Sequence, residues 1–253
     1  MDLDRREALR RLGGAGLALS VRAAAVPFAP CGVLVPEQVA PNTPYTPTSH
    51  YDILVVEGWR VRVNRDFRQK RAALCREVLK LLSCKLYAVS RIVPPTALKH
   101  IKQVPIWLEL REGHHPCMVY HPDAGWLREH DMNPEKAHCV EIAGAENFLS
   151  WEHDQPWMCL HELAHSYHDQ VLGFENAEVR NAYDQAVRTR IYESVLRISG
   201  THERHYALTD QKEYFAECSE SYFGVNDFFP FVRAELREHD RLGYQVVEKM
   251  WRL

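Results

Sequence analysis

The run from His161 to His165 reads His-Glu-Leu-Ala-His. Residues four apart lie on one face of an α-helix, so the two histidines can direct their imidazoles at one metal ion. Glu162 lies about 100° round the helix axis, where it can face a water molecule beside the metal without binding the metal. The spacing therefore predicts a metal site with a glutamate base next to it.

The flanking residues favour a helix around this run. Pro156 suits the first turn of a helix, and Gly173 suits the position after its end. An apolar stripe lies roughly 90° from the two histidines and consists of Leu160, Ala164, Tyr167 and Val171. We expect one side of this helix to pack on the core while another side presents the ligands.

Catalytic zinc usually has three protein ligands and an open position for water, so the two histidines need a partner. A second predicted helix carries Glu213 and Glu217 four residues apart, and Asp210 and Glu220 extend its acidic ridge. Such carboxylates repel one another unless a cation or an imidazole lies beside them. The alternatives are a capping box with Asp210 at the N-cap for Glu213, and a solvated helix face for Glu217.

These two segments resemble the catalytic domain of anthrax lethal factor and its relatives, a gluzincin family of zinc endopeptidases. The resemblance rests on the HELAH run, on Tyr206, and on the later run Glu-Tyr-Phe-Ala-Glu that begins at Glu213. It covers roughly the chain from Cys139 to Phe229. The N-terminal half carries no motif of the family, so the resemblance implies nothing about substrate specificity.

The resemblance implies a zincin-like site that binds one zinc ion per chain. Its metal ligands are expected to be His161, His165 and Glu213. Its catalytic residues are expected to be Glu162, the general base, and Tyr206, which stabilises the tetrahedral intermediate.

Three neighbouring residues are candidates for supporting roles. Glu217 has no ligand role in the family, and it is the candidate for a carboxylate that orients a ligating imidazole. His168 lies about 20° from His161 on a helix, but a metzincin site needs a glycine and a third histidine that this segment lacks. His205 is expected to be a surface histidine, with assistance to the oxyanion as the alternative.

Strands precede helices along the chain, which predicts an α+β fold. The pattern indicates a β-hairpin over 51–63 with Glu57-Gly58 at its turn, and a helix from Phe67 to Leu86. Further strands are predicted at 104–110, 118–120 and 139–142. We expect a small N-terminal mixed sheet with a helix, followed by a helical half that carries the HExxH helix and the glutamate-ligand helix.

The predicted strand Cys139–Ile142 lies shortly before the HExxH helix. In zinc peptidases of this general build, an edge strand beside the zinc helix pairs with an extended substrate. The strand is therefore either such an edge strand or an ordinary core strand.

The N-terminal residues differ from the rest of the chain. Arg5-Arg6, a short apolar run over 12–21 and the small residues at 23–25 resemble a twin-arginine export signal. An amphipathic helix is the alternative, because Arg22 interrupts the apolar run. We expect an export signal over 1–30, a proline-rich arm over 31–50 and one metallopeptidase domain over 51–253. Export would place the protein in the periplasm or outside the cell, and without the signal it would be cytoplasmic.

Composition limits the partners and the type of metal site. The formal net charge of −3 gives no global basic field for nucleic acid. No stretch after the first thirty residues approaches the ~18 uncharged apolar residues of a transmembrane helix. The 7 cysteines form no CxxC pair, so a cysteine metal site is not expected, although disulfides are permitted if the chain is exported.

The sequence thus predicts a zinc-dependent hydrolase that cleaves a peptide or protein substrate, and it leaves the oligomeric state open. Three alternatives remain. One is a zinc amide hydrolase acting on a non-peptide or cell-wall substrate, another is a catalytically silent zinc-binding protein, and the third is a helical module with a chance motif.

Overall fold

The computed structural model of the chain describes residues 44–252. The predicted export signal and residues 31–43 of the predicted arm lie outside the described residues. The described chain forms a five-stranded mixed sheet, a two-stranded sheet and ten α-helices, which confirms the α+β prediction at this level. Among residues 44–252 no helix combines the length and the apolar character that crossing a membrane requires.

The strands are β1 (Tyr51–Val56), β2 (Trp59–Asn64), β3 (Ile106–Leu108), β4 (Met118–His121), β5 (Cys139–Ile142), β6 (Val195–Leu196) and β7 (His202–Glu203). The helices are α1 (Arg65–Lys70), α2 (Ala72–Ile92), α3 (Pro95–Ile101), α4 (Ala124–Glu129), α5 (Ala145–Ser150), α6 (Met158–Tyr167), α7 (Ala177–Thr189), α8 (Gln211–Phe223), α9 (Arg233–His239) and α10 (Arg241–Met250).

The predicted hairpin is confirmed. Strands β1 and β2 are antiparallel, and Val56 pairs with Trp59 across a two-residue turn. Glu57 and Gly58 both have positive φ, 51° and 92°, as a type I′ turn requires. Glycine adopts this conformation without steric cost, so the Glu-Gly pair fixes the position of the turn.

The large sheet has the strand order β1-β2-β3-β5-β4. Strand β5 is parallel to β3 and antiparallel to β4, so it lies inside the sheet. The hypothesis that Cys139–Ile142 is an edge strand is therefore wrong, and β4 takes that place. Neighbouring strand order is a tertiary property that the strand sequence alone does not encode.

The sheet half contains four helices where the sequence predicted one. The predicted helix over 67–86 is divided at Arg71, whose φ of −131° and ψ of 46° are not helical, and α2 continues to Ile92. It ends two residues before Pro94 because the residue that precedes a proline is disfavoured in the helical region. Helices α1 to α3 form the crossover between the parallel strands β2 and β3.

Side chains alternate between a buried inner face of the sheet and an outer face that is exposed along β1, as at Ile53 and Val55. The inner face, which includes Val61, Ile106 and Val140, joins the main hydrophobic core with helices α2 and α6. On the outer face Trp107 packs with its neighbours in a small separate cluster. Asn133 beside this face donates hydrogen bonds from Nδ2 to the Thr46 carbonyl, so the end of the predicted arm lies here.

The C-terminal Trp251 fixes the two helices that carry the predicted site. Its ring stacks on Tyr167 of α6 with ring centroids 4.6 Å apart, and on Phe215 of α8 at 6.0 Å. Its indole N–H donates to Ser219 Oγ at 2.9 Å. The buried side chain of Trp251 therefore links α6 to α8.

Candidate metal centre

Helix α6 presents both motif histidines from a buried position. All ten of its residues are buried, and the rings of His161 and His165 lie with centroids 4.7 Å apart. Pro156 lies outside the helix, so the expectation that it occupies the first turn is wrong. A π-helical turn, His168–Leu172, follows the helix, and Gly173 with φ 77° ends it as predicted.

Helix α8 brings Glu213 to the two histidines. Asp210 is the N-cap, and its side chain accepts hydrogen bonds from the backbone N–H groups of Lys212 and Glu213. Glu213 Oε2 lies 3.0 Å from His161 Nε2 and 3.4 Å from His165 Nε2. Capping by Asp210 and convergence on the histidines are therefore both present.

One ligand atom from each of His161, His165 and Glu213 lies within 4.8 Å of the others. Burial alone would raise the pKa of the Glu213 carboxyl, but His165 and His161 lower that pKa well below its ordinary value. The carboxylate is therefore ionised beside two imidazole nitrogens. We call these three residues the ligand cluster, and its chemistry fits a divalent metal such as zinc.

Glu162 points to the sheet. Its Oε2 accepts a hydrogen bond from the backbone N–H of Tyr120 at 2.7 Å, and the side chain is buried. Tyr120 belongs to the edge strand β4, and its hydroxyl donates to Asp169 Oδ2 in the π-helical turn at 2.7 Å. Two hydrogen bonds thus link β4 to Glu162 and to the π-helical turn after α6.

A half-open cleft borders the ligand cluster. Its cavity of about 200 Å³ is lined by Val119, Tyr120, Pro122, Glu162, His165, Phe174, Asp210, Lys212 and Glu213. The walls include apolar side chains from β4 and from the segment after α6. A metal ion at the cluster would therefore have an open side towards water and a substrate.

A second group of ligand-type atoms adjoins the other nitrogen of His161. Glu220 Oε1 lies 2.6 Å from His161 Nδ1, and Glu217 Oε1 lies 3.5 Å from it. All three side chains are fully buried, whereas Glu213 is 16% exposed. His165 and Glu213 line the cleft, whereas Glu217 and Glu220 do not. The set of His161, His165 and Glu213 is therefore better placed for catalysis.

Glu220 is the residue of this site whose contact the sequence prediction missed. The sequence prediction includes it only in an acidic ridge, although it lies seven residues after Glu213. Residues seven apart lie about 20° from each other round a helix, closer than the 40° between Glu213 and Glu217. That spacing was the available signal.

The remaining candidates lie in buried positions. His205 is 2% exposed and stacks on Phe228, so its prediction as a surface histidine is wrong. Tyr206 is also buried, on a 3-10 turn that packs against α8, and the described residues that line the cleft do not include it. His168 packs between Phe174 and Phe215, and burial lowers its pKa to about 3.

None of the six cysteines of residues 44–252 is in a disulfide. Comparison of the chain with protein-family models, with curated proteins and with solved structures gave no match. The interpretation of the site therefore rests on the side chains and on the geometry described above.

Proposed function

We propose that the protein is a zinc-dependent hydrolase of the gluzincin type, with a zincin-like arrangement of α6 and α8, and that it cleaves peptide bonds. The observation that carries the proposal is the convergence of His161, His165 and Glu213 beside Glu162 at one cleft. Two imidazoles and one carboxylate with an open side are a donor set typical of catalytic zinc.

A zinc ion held by the ligand cluster would polarise the scissile carbonyl and lower the pKa of a water molecule in the cleft. Glu162 accepts the proton of the attacking water and later delivers it to the leaving amine. The Tyr120 N–H holds this carboxylate in one orientation. In the family that the chain resembles, a tyrosine at the position of Tyr206 donates a hydrogen bond to the oxyanion, and we propose the same role here.

The edge strand favours a peptide as the substrate. Strand β4 lies at the border of the sheet, and Val119 and Tyr120 line the cleft. An extended peptide can add to such an edge through main-chain hydrogen bonds, which align its amide groups along the cleft. A non-peptide amide would use the same centre without this pairing, and a silent zinc-binding protein would have no use for Glu162.

Elemental analysis and a mixed peptide library test the proposal on the full chain. We expect about one zinc per chain and cleavage of library peptides that stops in the Glu162→Gln variant. Protein without zinc contradicts the metal centre. Zinc without cleavage of peptides, but with turnover of cell-wall amides, supports the non-peptide alternative, and zinc without any turnover supports the silent one.

Export of the protein is also proposed, from Arg5-Arg6 and the small residues at 23–25. N-terminal sequencing of protein from the native host tests it. We expect an N-terminus after residue 25, and an intact Met1 in cytosolic material contradicts export.

A further inference from the structure

His161 is in contact with carboxylates through both of its ring nitrogens. Nε2 faces Glu213 at 3.0 Å, and Nδ1 faces Glu220 at 2.6 Å. A neutral imidazole carries one N–H, and metal binding requires the lone pair of the other nitrogen. The partners of the ring therefore decide which nitrogen is available to a metal.

The Nδ1 side has the geometry of a strong hydrogen bond. A carboxylate that is ionised can only accept, so without a metal both ring nitrogens can donate, Nδ1 to Glu220 and Nε2 to Glu213. The distance of 2.6 Å is short for a nitrogen donor, and both side chains are fully buried. A metal in the ligand cluster would replace the proton on Nε2, while Nδ1 would keep its proton and its bond to Glu220.

Glu217, the carboxylate expected to orient the ring, has other partners. Asn226 Nδ2 donates to Glu217 Oε2 at 2.9 Å and to the Glu217 carbonyl at 2.8 Å. The other carboxylate oxygen is 3.5 Å from His161 Nδ1, at the limit of a hydrogen bond. Glu217 thus makes a shorter contact with Asn226 in the loop after α8 than with His161.

We propose that Glu220, rather than Glu217, is the positioning residue of His161. Its carboxylate fixes the tautomer with the proton on Nδ1 and sets the orientation of the ring for metal binding through Nε2. The inference rests on the proposed function, because it assigns a role toward the metal of that site. It adds a residue that the resemblance did not supply.

Zinc affinity measured by competition with a chelator tests the proposal on the full chain. We expect Glu220→Ala, which removes the acceptor, to weaken zinc binding by about 10- to 100-fold. Glu220→Gln keeps a neutral acceptor and should weaken it less. Glu217→Gln is the matched control on the same helix, and its effect should be smaller. Far-UV circular dichroism should show the same helix content in all the variants.

A measurement on the cobalt-substituted wild type does not depend on any variant folding. Proton NMR should show a paramagnetically shifted ring N–H of His161 that exchanges slowly with solvent, because its bond to Glu220 is buried. Rapid exchange of that proton, zinc affinity unchanged in Glu220→Ala, or a larger loss in Glu217→Gln than in Glu220→Gln overturns the inference while the zinc centre stands. A wild type that binds neither zinc nor cobalt overturns the proposed function itself.

Discussion

Buried carboxylates and histidines meet at two places, one on each face of the large sheet. On the outer face Lys136 Nζ lies between Glu109, at 3.1 Å, and Glu141, and His121 Nε2 contacts Glu141 at 2.7 Å. Tyr51 donates a further hydrogen bond to Glu109. We call these five residues the Lys136 cluster, and the chain supplies its cation.

On the inner face the partners of Glu213 are imidazoles. His161 and His165 contact its carboxylate, and the other nitrogen of His161 contacts Glu220. An imidazole can exchange its proton for a metal ion near neutral pH, whereas an ammonium group cannot. Lys136 therefore balances the negative charge of the carboxylates in its own cluster. In the ligand cluster a bound cation can balance the charge of Glu213.

Burial of carboxylates does not by itself indicate a metal site, since both clusters contain them. Burying a charge is costly unless it is paired, and a lysine or a metal ion can be the pair. In the ligand cluster two imidazoles converge on one carboxylate beside a cleft, whereas the Lys136 cluster combines one imidazole with a lysine. Substitutions in the two clusters should therefore affect different measurements.

The largest expected effect is loss of the metal from the ligand cluster. His161→Ala should reduce zinc from about one per chain to nearly none, and with it all turnover, because two protein ligands hold zinc poorly. His168→Ala removes a buried histidine seven residues further on and should leave zinc content unchanged. Elemental analysis measures both variants, and equal zinc loss in the two would contradict the ligand assignment.

Lys136→Met should lower the free energy of unfolding by about 3–5 kcal/mol, because it leaves buried carboxylates without their cation. Zinc content should not change. Lys85→Met is the matched control, since Lys85 pairs with Glu152 at a partly exposed site, and such pairs contribute about 0–1 kcal/mol. Urea unfolding compares the three proteins, and an equal loss in the two variants would mean that the Lys136 cluster is not a special source of stability.

Glu162→Gln separates the chemistry of the ligand cluster from its metal binding. The amide cannot accept a proton, so turnover should fall by at least about 10²-fold while zinc stays bound. Tyr206→Phe should lower kcat by about 10²-fold with little change in KM if its hydroxyl acts in the transition state. Kinetics on any peptide that the wild type cleaves measure both. Wild-type turnover in Glu162→Gln refutes the mechanism, whereas wild-type kcat in Tyr206→Phe refutes only the role taken from the family.

Local signals in the sequence predicted the elements that carry the site. The Glu57-Gly58 turn fixed the hairpin, and the four-residue spacing of His161 and His165 placed both rings on one helix face. A cap at Asp210 is the alternative that the sequence offers for the start of α8, and Asp210 is the N-cap there. These features depend on residues close in sequence, so no knowledge of packing was needed.

Features that depend on how elements pack were missed or wrong. The contact between Glu220 and His161 joins residues 59 positions apart and exists because α8 crosses α6. The general exposure of histidines places His205 at the surface, but Tyr192 and Phe228 pack against its ring. The edge position of β4 likewise follows from the order of strands in the sheet.

The pH dependence of stability gives the smallest and most specific test of the Lys136 cluster. Burial would raise the pKa of Glu141, but Lys136 and His121 lower that pKa from its ordinary 4.5 to about 2. The unfolded chain then binds more protons than the folded chain between these values, so the ionised group stabilises the fold above pH 4.5. That contribution should be lost as pH falls from 4.5 towards 2, at up to roughly 1.4 kcal/mol per pH unit.

The effect of Glu109 on stability has the opposite sign, because burial raises its pKa and the folded chain then binds more protons above pH 4.5. Urea unfolding of metal-free protein at several pH values measures both, as the difference between wild type and Glu141→Gln or Glu109→Gln. The wild type should lose stability faster than Glu141→Gln on acidification below pH 4.5, and it should lose stability relative to Glu109→Gln as pH rises above that value. Parallel curves for all three proteins would contradict the shifted pKa values of Glu141 and Glu109, and with them the role of Lys136 in this cluster.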